Sequence, residues 1–357
     1  SFALSDPDYG YYQTRDPFGS AGDFITSPEI SGLFGEMCGL YLAHIAELSG
    51  LCDPAIFELG PGRASLMVDM RHVWQHIMPS LKTAPLHLLE TSPALRRFQQ
   101  DRLSDANLFF HENLDHLPAQ PIFAIANEFF DALPVEQAIL RQNTENADGI
   151  WRHRLVGLLD GQLGFVDGPR LRSDEARDWA LEILQAEEID LPPRGDINKY
   201  KIAEYCPLAA TYASKMAYHL RAYGGACLII DYGRDGQSGD SLQAVANHQP
   251  VDVFYQPGSA DLSHWVDFSA LRQSAINNGA RLVGPVTQGS FLQAIGIAQR
   301  TEAVAKIADA ETRRSLMAAV DRLVSSQQMG SAFKVAMMLL SGTGLPPGFT
   351  DDQGATA

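Results

Sequence analysis

A glycine turn between an apolar strand and a helix constrains this chain more than any other feature. Ala55–Leu59 reads as a buried strand, Gly60-Pro61-Gly62 ends it, and a helical pattern runs on to about His76. Short apolar runs then keep alternating with helical patterns. Leu86–Leu89 ends at Glu90 before a helix that opens at Thr91-Ser92-Pro93, Leu108–Phe110 follows, and Ile122–Ala126 ends at Asn127. Alternation of this kind predicts a parallel sheet covered on both faces, a doubly wound α/β core. Glycines at such a turn let the backbone approach a ligand closely, and the helix N-terminus behind them offers free N–H groups and the positive end of its dipole. A tight strand-to-helix turn also needs glycine for its own sake, so the turn alone specifies only a place where an anionic group fits.

The flanking segments follow other patterns. Residues 5–28 are rich in Gly, Pro, Asp and Tyr and read as extended and turn-laden. One helix is expected from Pro28 to Ser49, opened by Thr26 and Glu29 at capping-box spacing or by Ser27 before Pro28. Val135–Leu140, Trp151–Leu158 and Gln162–Val166 read as antiparallel strands, and Ser173–Glu188 as a helix, which together make an insertion. Leu208–Tyr223 is a helix ended by Gly224-Gly225, and Cys227–Ile230 is a buried strand before Asp231-Tyr232-Gly233. Residues 234–260 read as a polar loop, helices follow near 266–278, 290–298 and 311–326, and Leu282–Val286 and Phe333–Leu340 are the last strands. The expected organisation is 1–54 as an extension and helix over the pocket, 55–134 as the first half of the core, 135–206 as an inserted α+β subdomain, 207–340 as the second half, and 341–357 as a flexible tail.

Composition narrows the partners. The formal net charge is −16, which argues against nucleic acid as a partner and favours cationic ones. No apolar run reaches the roughly 18 residues of a membrane span, and no signal-like segment opens the chain. The four cysteines, Cys38, Cys52, Cys206 and Cys227, form no Cys-x-x-Cys pair, so no metal site is expected.

Several carboxylates stand where strands end. Glu58 precedes the glycine turn, where it can meet an amino group; Glu90 ends the second strand, where two oxygens can grip both hydroxyls of a ribose. The dinucleotide fingerprint wants Gly or Ala three residues after its second glycine, and Ser65 stands there. Its acidic residue is also expected roughly 20 residues on, closer than Glu90. These features favour S-adenosylmethionine (SAM) over NAD, with Gly60, Gly62 and Asn127 at the same site and Glu112, after the third strand, as an adenine contact. Glu128 and Asp131 follow the fourth strand, where ligands of open α/β sheets bind, and suit an amine or guanidinium.

Together with Gly10-Tyr11-Tyr12, Gly22-Asp23-Phe24-Ile25-Thr26-Ser27-Pro28-Glu29, Asn127-Glu128-Phe129-Phe130-Asp131-Ala132-Leu133-Pro134, Ile230-Asp231-Tyr232-Gly233, Val266-Asp267-Phe268 and Phe333-Lys334-Val335, these segments resemble the MidA-like SAM-dependent methyltransferases over nearly the whole chain. That family includes the mitochondrial complex I assembly factor that methylates an arginine. The resemblance implies a seven-stranded methyltransferase sheet with its last strand antiparallel, SAM as cofactor, and a protein substrate such as a complex I subunit. It implies residence in the bacterial cytoplasm or the mitochondrial matrix, and leaves the oligomeric state open. The chain departs from the family pattern at Ala64, usually Gly, whose methyl is expected to crowd the cofactor, and at Ser263-His264-Trp265, beside the substrate. Its start is also shorter, which implies a missing N-terminal helix.

Methyl transfer depends on alignment of nucleophile, methyl and sulfur. Glu128 is the first choice to orient a guanidinium and accept its proton, Asp131 the second and Glu204 the third, with Tyr11 and Tyr12 closing the pocket. Two other readings are a non-catalytic SAM-binding assembly factor and a nucleotide-dependent oxidoreductase.

Overall fold

Four strands build the first half of the sheet: β1 (Ala55–Leu59), β2 (Leu86–Leu89), β3 (Leu108–His111) and β4 (Ile122–Asn127). β1 and β2 are buried along their whole length, as parallel strands covered on both faces must be. β5 (Glu136–Arg141), β6 (Ile150–Leu159), β7 (Gln162–Arg170) and β8 (Ile202–Tyr205) leave the core and form an antiparallel sheet in the order β7-β6-β5-β8. β9 (Gly225–Arg234) returns beside β4. The computed structural model describes residues 2–6, 8–11, 26–141, 150–172, 202–236 and 239–350; the expected helix Ser173–Glu188 and Tyr12 lie outside them.

A three-stranded sheet follows, made of β10 (Gln243–Ala246), β11 (Gln249–Val251) and β12 (Asp261–Ser263). The polar loop expected over 234–260 is corrected here. β10 and β11 are joined through Asn247 and His248, both at positive φ (51° and 59°). That is the conformation of a hairpin turn usually marked by Asn-Gly, and His in place of Gly hides it. β13 (Val266–Asp267) adds two residues beside the end of β9. β14 (Ala280–Thr287) and β15 (Phe333–Leu340) complete the main sheet, whose continuous order is β14-β15-β9-β4-β1-β2-β3. β15, the last strand, runs antiparallel to both neighbours. β2 and β3 lie on one side of β1, with β4 and β9 on the other, so the strand order reverses between β1 and β4, and a crevice opens at their carboxyl ends.

Alternate residues of each strand serve two cores. Ile56, Phe123 and Ile125 pack with the helices Gly32–Ser49 and Ser65–Ile77, while Phe57, Ala124 and Ala126 pack with the helices Pro207–Tyr223 and Phe268–Asn277. Each large apolar side chain buried this way contributes roughly 1.5–3 kcal/mol. Trp74 is fully buried between the first pair of helices and donates its ring N–H to the Gly39 carbonyl at 2.8 Å.

The single helix expected from Pro28 is two. Ser27–Ile30 stops at Ser31, whose extended backbone (φ −159°, ψ 128°) starts the helix Gly32–Ser49 and whose hydroxyl accepts the Leu33 N–H. The break aims the first short helix at the crevice, where the Ser27 N–H donates to Glu128 Oε1 at 2.8 Å. The expected fraying from Gly342 is also corrected as far as Thr350. Phe349 is buried against Phe291, and the Tyr41 hydroxyl donates to the Pro347 carbonyl at 2.9 Å.

Candidate active site

At the end of β1 the chain turns through Gly60 (φ 66°) and Gly62 (φ 51°) into the helix Ser65–Ile77. A side chain on Gly60 would sit 2.7 Å from the Phe129 ring, so glycine is required there by space as well as by conformation. Glu58, one residue before Leu59, is buried at 3% exposure, and burial pushes its carboxyl up to about 8. Its Oε2 is fully enclosed with no hydrogen-bond partner, and so is Asn127 Oδ1 at the end of the neighbouring β4. Two buried acceptors at one cavity are a costly arrangement unless a ligand donates to them. An ammonium group carries the kind of donor that both oxygens lack.

Glu90, at the end of β2, is tied to the glycine turn through one side chain. Gln99 Nε2 donates both to Glu90 Oε2 (3.1 Å) and to the Gly62 carbonyl (2.7 Å). The expectation that Glu90 stands within one nucleoside's span of Gly62 is thereby met. Glu90 Oε1 accepts the Ser92 N–H at 2.8 Å, and burial raises its pKa against these bonds. Glu112 is corrected. It does not line the cavity; its side chain is 76% exposed and pairs with Arg96 at 3.6 Å, because β3 is an edge strand whose end faces water.

The loop after β4 carries the remaining acids. Glu128 takes a left-handed backbone (φ 51°), unusual for a residue with a side chain, and its Oε1 accepts from Ser27 N–H and from Asn127 Nδ2 at 3.2 Å. Its pKa is raised, first by burial. Asp131 is raised well above the usual carboxylate range by burial and then by Asp231, Glu128 and Asp261. Asp231 itself is fully buried and accepts the N–H groups of Phe129, Phe130 and Tyr232.

One cavity of about 450 Å³, the size of a small-molecule site, opens among these loops. Glu58, Gly60, Gly62, Glu90, Asn127, Glu128 and Asp131 all line it, and Phe129, Tyr212, Tyr232 and Phe333 supply aromatic surface. β10 and β12 add Gln243 and Asp261, whose place at the cavity went unread with the small sheet that carries them, and Ser263, from the segment that the resemblance sets beside the substrate. Glu204 is corrected: it is buried outside the cavity, accepting from Gln137 Nε2 (2.7 Å) and from the Ser241 N–H and hydroxyl, so it joins the inserted sheet to β10. Tyr11 is buried and does not reach the cavity either. Trp265 stands behind the wall, edge-on to Tyr232 at 5.2 Å. Among the described residues no group of three or more His, Cys, Asp or Glu is placed to hold a metal ion, and no helix is long and apolar enough to cross a membrane.

Ala64 also differs from expectation. Its methyl packs in the core and does not line the cavity, so it does not crowd the cofactor. Its backbone is left-handed (φ 56°, ψ 22°). Ala64→Gly relieves roughly 1 kcal/mol of backbone strain and forfeits about 0.8 kcal/mol of methyl burial. Thermal melting should therefore shift little, and calorimetric SAM affinity should stay within about twofold; a tenfold gain would return the methyl to the site.

A reversing parallel sheet closed by an antiparallel last strand, with buried carboxylates at the ends of β1 and β2 around a glycine turn, defines a SAM-dependent methyltransferase. Residues 37–286 match the model of a family described as "Putative S-adenosyl-L-methionine-dependent methyltransferase". The chain is 33% identical to the Danio rerio "Protein arginine methyltransferase NDUFAF7, mitochondrial", covering 94% of this chain and 81% of that one. It is 32% identical to the Homo sapiens protein of the same name, covering 94% and 78%. A solved structure from Burkholderia thailandensis, bound to S-adenosyl-homocysteine, superposes with a TM-score of 0.80 at 25% identity, covering 97% of this chain and 87% of that one. The chain belongs to the MidA-like family of SAM-dependent methyltransferases, and SAM is its cofactor.

Proposed function

We propose that this enzyme methylates the guanidinium of a protein arginine. The observation that carries the reading is the number of acids in one cavity: Glu128, Asp131 and Asp261 line it in addition to Glu58 and Glu90, more negative charge than a cofactor alone needs and suited to a second cation. The relatives named as protein arginine methyltransferases support it.

Glu58 and Asn127 would hold the amino group of the methionine part, the N-terminus of the helix Ser65–Ile77 would take its carboxylate, and Glu90 would grip the ribose. SAM, when bound, supplies an electrophilic methyl group. A guanidinium carries its charge at any ordinary pH, so the chain's task is to neutralise and orient it. Glu128 sits on a strained loop, with Oε1 fixed by Ser27 and Asn127, and accepts the proton that leaves the nitrogen. Asp131 and Asp261 neutralise the charge that remains. A complex I subunit is the proposed substrate, in the mitochondrial matrix or the bacterial cytoplasm.

Complex I proteins from cells lacking the enzyme, incubated with the purified enzyme and methyl-tritiated SAM, should yield labelled methylarginine after acid hydrolysis, and should not when the enzyme is left out. Label on lysine or on a carboxyl, or none, would overturn the reading. Glu90→Ala should weaken SAM binding by about 1.5–3 kcal/mol, the worth of hydrogen bonds to a charged group, roughly a 10- to 150-fold rise in Kd by calorimetry. An unchanged Kd would remove Glu90 from the cofactor wall.

A further inference from the structure

We infer that Asp231 is a positioning residue for methyl transfer: from inside the sheet it fixes the loop that aims Glu128 and Asp131 into the cavity. The inference rests on the proposed role of Glu128.

Asp231 lies on β9, fully buried, and does not line the cavity. Its Oδ2 accepts two consecutive loop N–H groups, from Phe129 at 3.1 Å and Phe130 at 2.8 Å. Its Oδ1 accepts the Tyr232 N–H at 2.8 Å. One residue earlier, the Glu128 N–H donates to the Ile230 carbonyl at 2.9 Å. Three successive loop amides, 128 to 130, are therefore tied to two successive residues of β9. Glu128 has a left-handed backbone (φ 51°), which a residue with a side chain keeps only when its surroundings impose it. The carboxylate of Asp231 is that restraint: converging N–H groups form an anion-binding concavity, and a buried acid fills it from the side away from the ligand. Asn127, by contrast, is set by the β4–β9 ladder, paired with Ile230. Loosening the loop should displace Glu128 and Asp131 while leaving the cofactor wall in place.

Asparagine has one acceptor oxygen, so Asp231→Asn can serve either the loop amides or Tyr232 but not both. The test uses the full chain, methyl-tritiated SAM and complex I proteins from cells lacking the enzyme. Asp231→Asn should lower the maximal rate by roughly 30-fold or more, with the KM and calorimetric Kd for SAM within about threefold, in keeping with a misplacement of about 1 Å. In a Glu128→Gln background the same change should cost much less, about fivefold or under, because only Asp131 is left to position. If Asp231→Asn does not fold, Asp231→Glu, which keeps both acceptors but places them one methylene further out, should show the same loss of rate at unchanged SAM affinity. Equal losses in the two backgrounds, or a parallel loss of SAM affinity, would make Asp231 merely structural and overturn the inference. Full activity of Glu128→Gln alone would overturn the reading of Glu128, and this inference with it.

Discussion

Glu128→Gln is expected to lower the maximal rate of methyl transfer by roughly 100-fold or more, the usual scale for a lost general base, while the Kd for SAM stays within about threefold. Gln keeps the shape of the side chain and can still accept the Ser27 N–H through its oxygen, so the loop should keep its course. The charge and the proton-accepting power are lost. Glu128 lines the cavity with Asp131, and burial raises its pKa, which strengthens it as a proton acceptor. Steady-state rates at saturating SAM, with calorimetric titration of the same variant, separate the alternatives. Loss of affinity together with rate would make Glu128 a cofactor ligand. No change in either would leave Asp131 as the better candidate.

Glu58 should couple cofactor binding to a proton. Its carboxyl is pushed up to about 8 by burial, so the free protein holds it largely neutral at pH 7. An ammonium group beside Oε2 requires the carboxylate, and binding should expel close to one proton at that pH. SAM affinity should then rise about tenfold per pH unit between roughly pH 5.5 and 7 and level off near pH 8. Calorimetry in buffers of different ionisation enthalpy reads the proton directly. Glu58→Gln should abolish this slope and, at pH 8, weaken binding by roughly 30-fold or more, as loss of one partner of a buried charge pair does. The sign for stability is opposite. Because the folded pKa lies above the unfolded one, the group's stabilisation of the free protein is complete below about 4.5 and is lost as pH rises through about 8. Ligand-free Glu58→Gln should therefore melt above the wild type at pH 8. A slope that survives in Glu58→Gln would assign the proton to another buried acid, of which Asp231, pushed up to about 7, is the nearest in range.

What sequence could show depended on the range of the forces involved. The run Ala55–Leu59 and the turn after it are local, and both appear in the structure with those bounds. Leu86–Leu89 and Phe333–Leu340 were equally legible because strands covered on both faces are apolar runs, broken here only by His87 and Lys334. The stop at Ser31 was not legible, since Ser-Gly inside an apolar-periodic segment does not by itself interrupt a helix; the hydrogen bond from Ser27 to Glu128, 101 residues away, belongs to the fold. Gln99 and Asp231 were missed for a related reason. A polar residue on a helix face or after an apolar strand reads as exposed, and only tertiary structure brings Gln99 between Gly62 and Glu90, or Asp231 beneath Phe129. Glu112 and Glu204 show the converse error. Both are acids near strand ends, one turned to water and one spent on Ser241.

The most direct test of the whole account is a crystal structure of the protein soaked with S-adenosylhomocysteine. The ligand's amino nitrogen should lie about 3 Å, hydrogen-bonding distance, from Glu58 and Asn127, and its ribose hydroxyls on Glu90. Glu128 and Asp131 should face the sulfur side of the cavity without touching the ligand's amino group. An amino group on Glu128 instead of Glu58, or a ligand seated away from the glycine turn, would contradict the division of this cavity into a cofactor wall and a substrate wall.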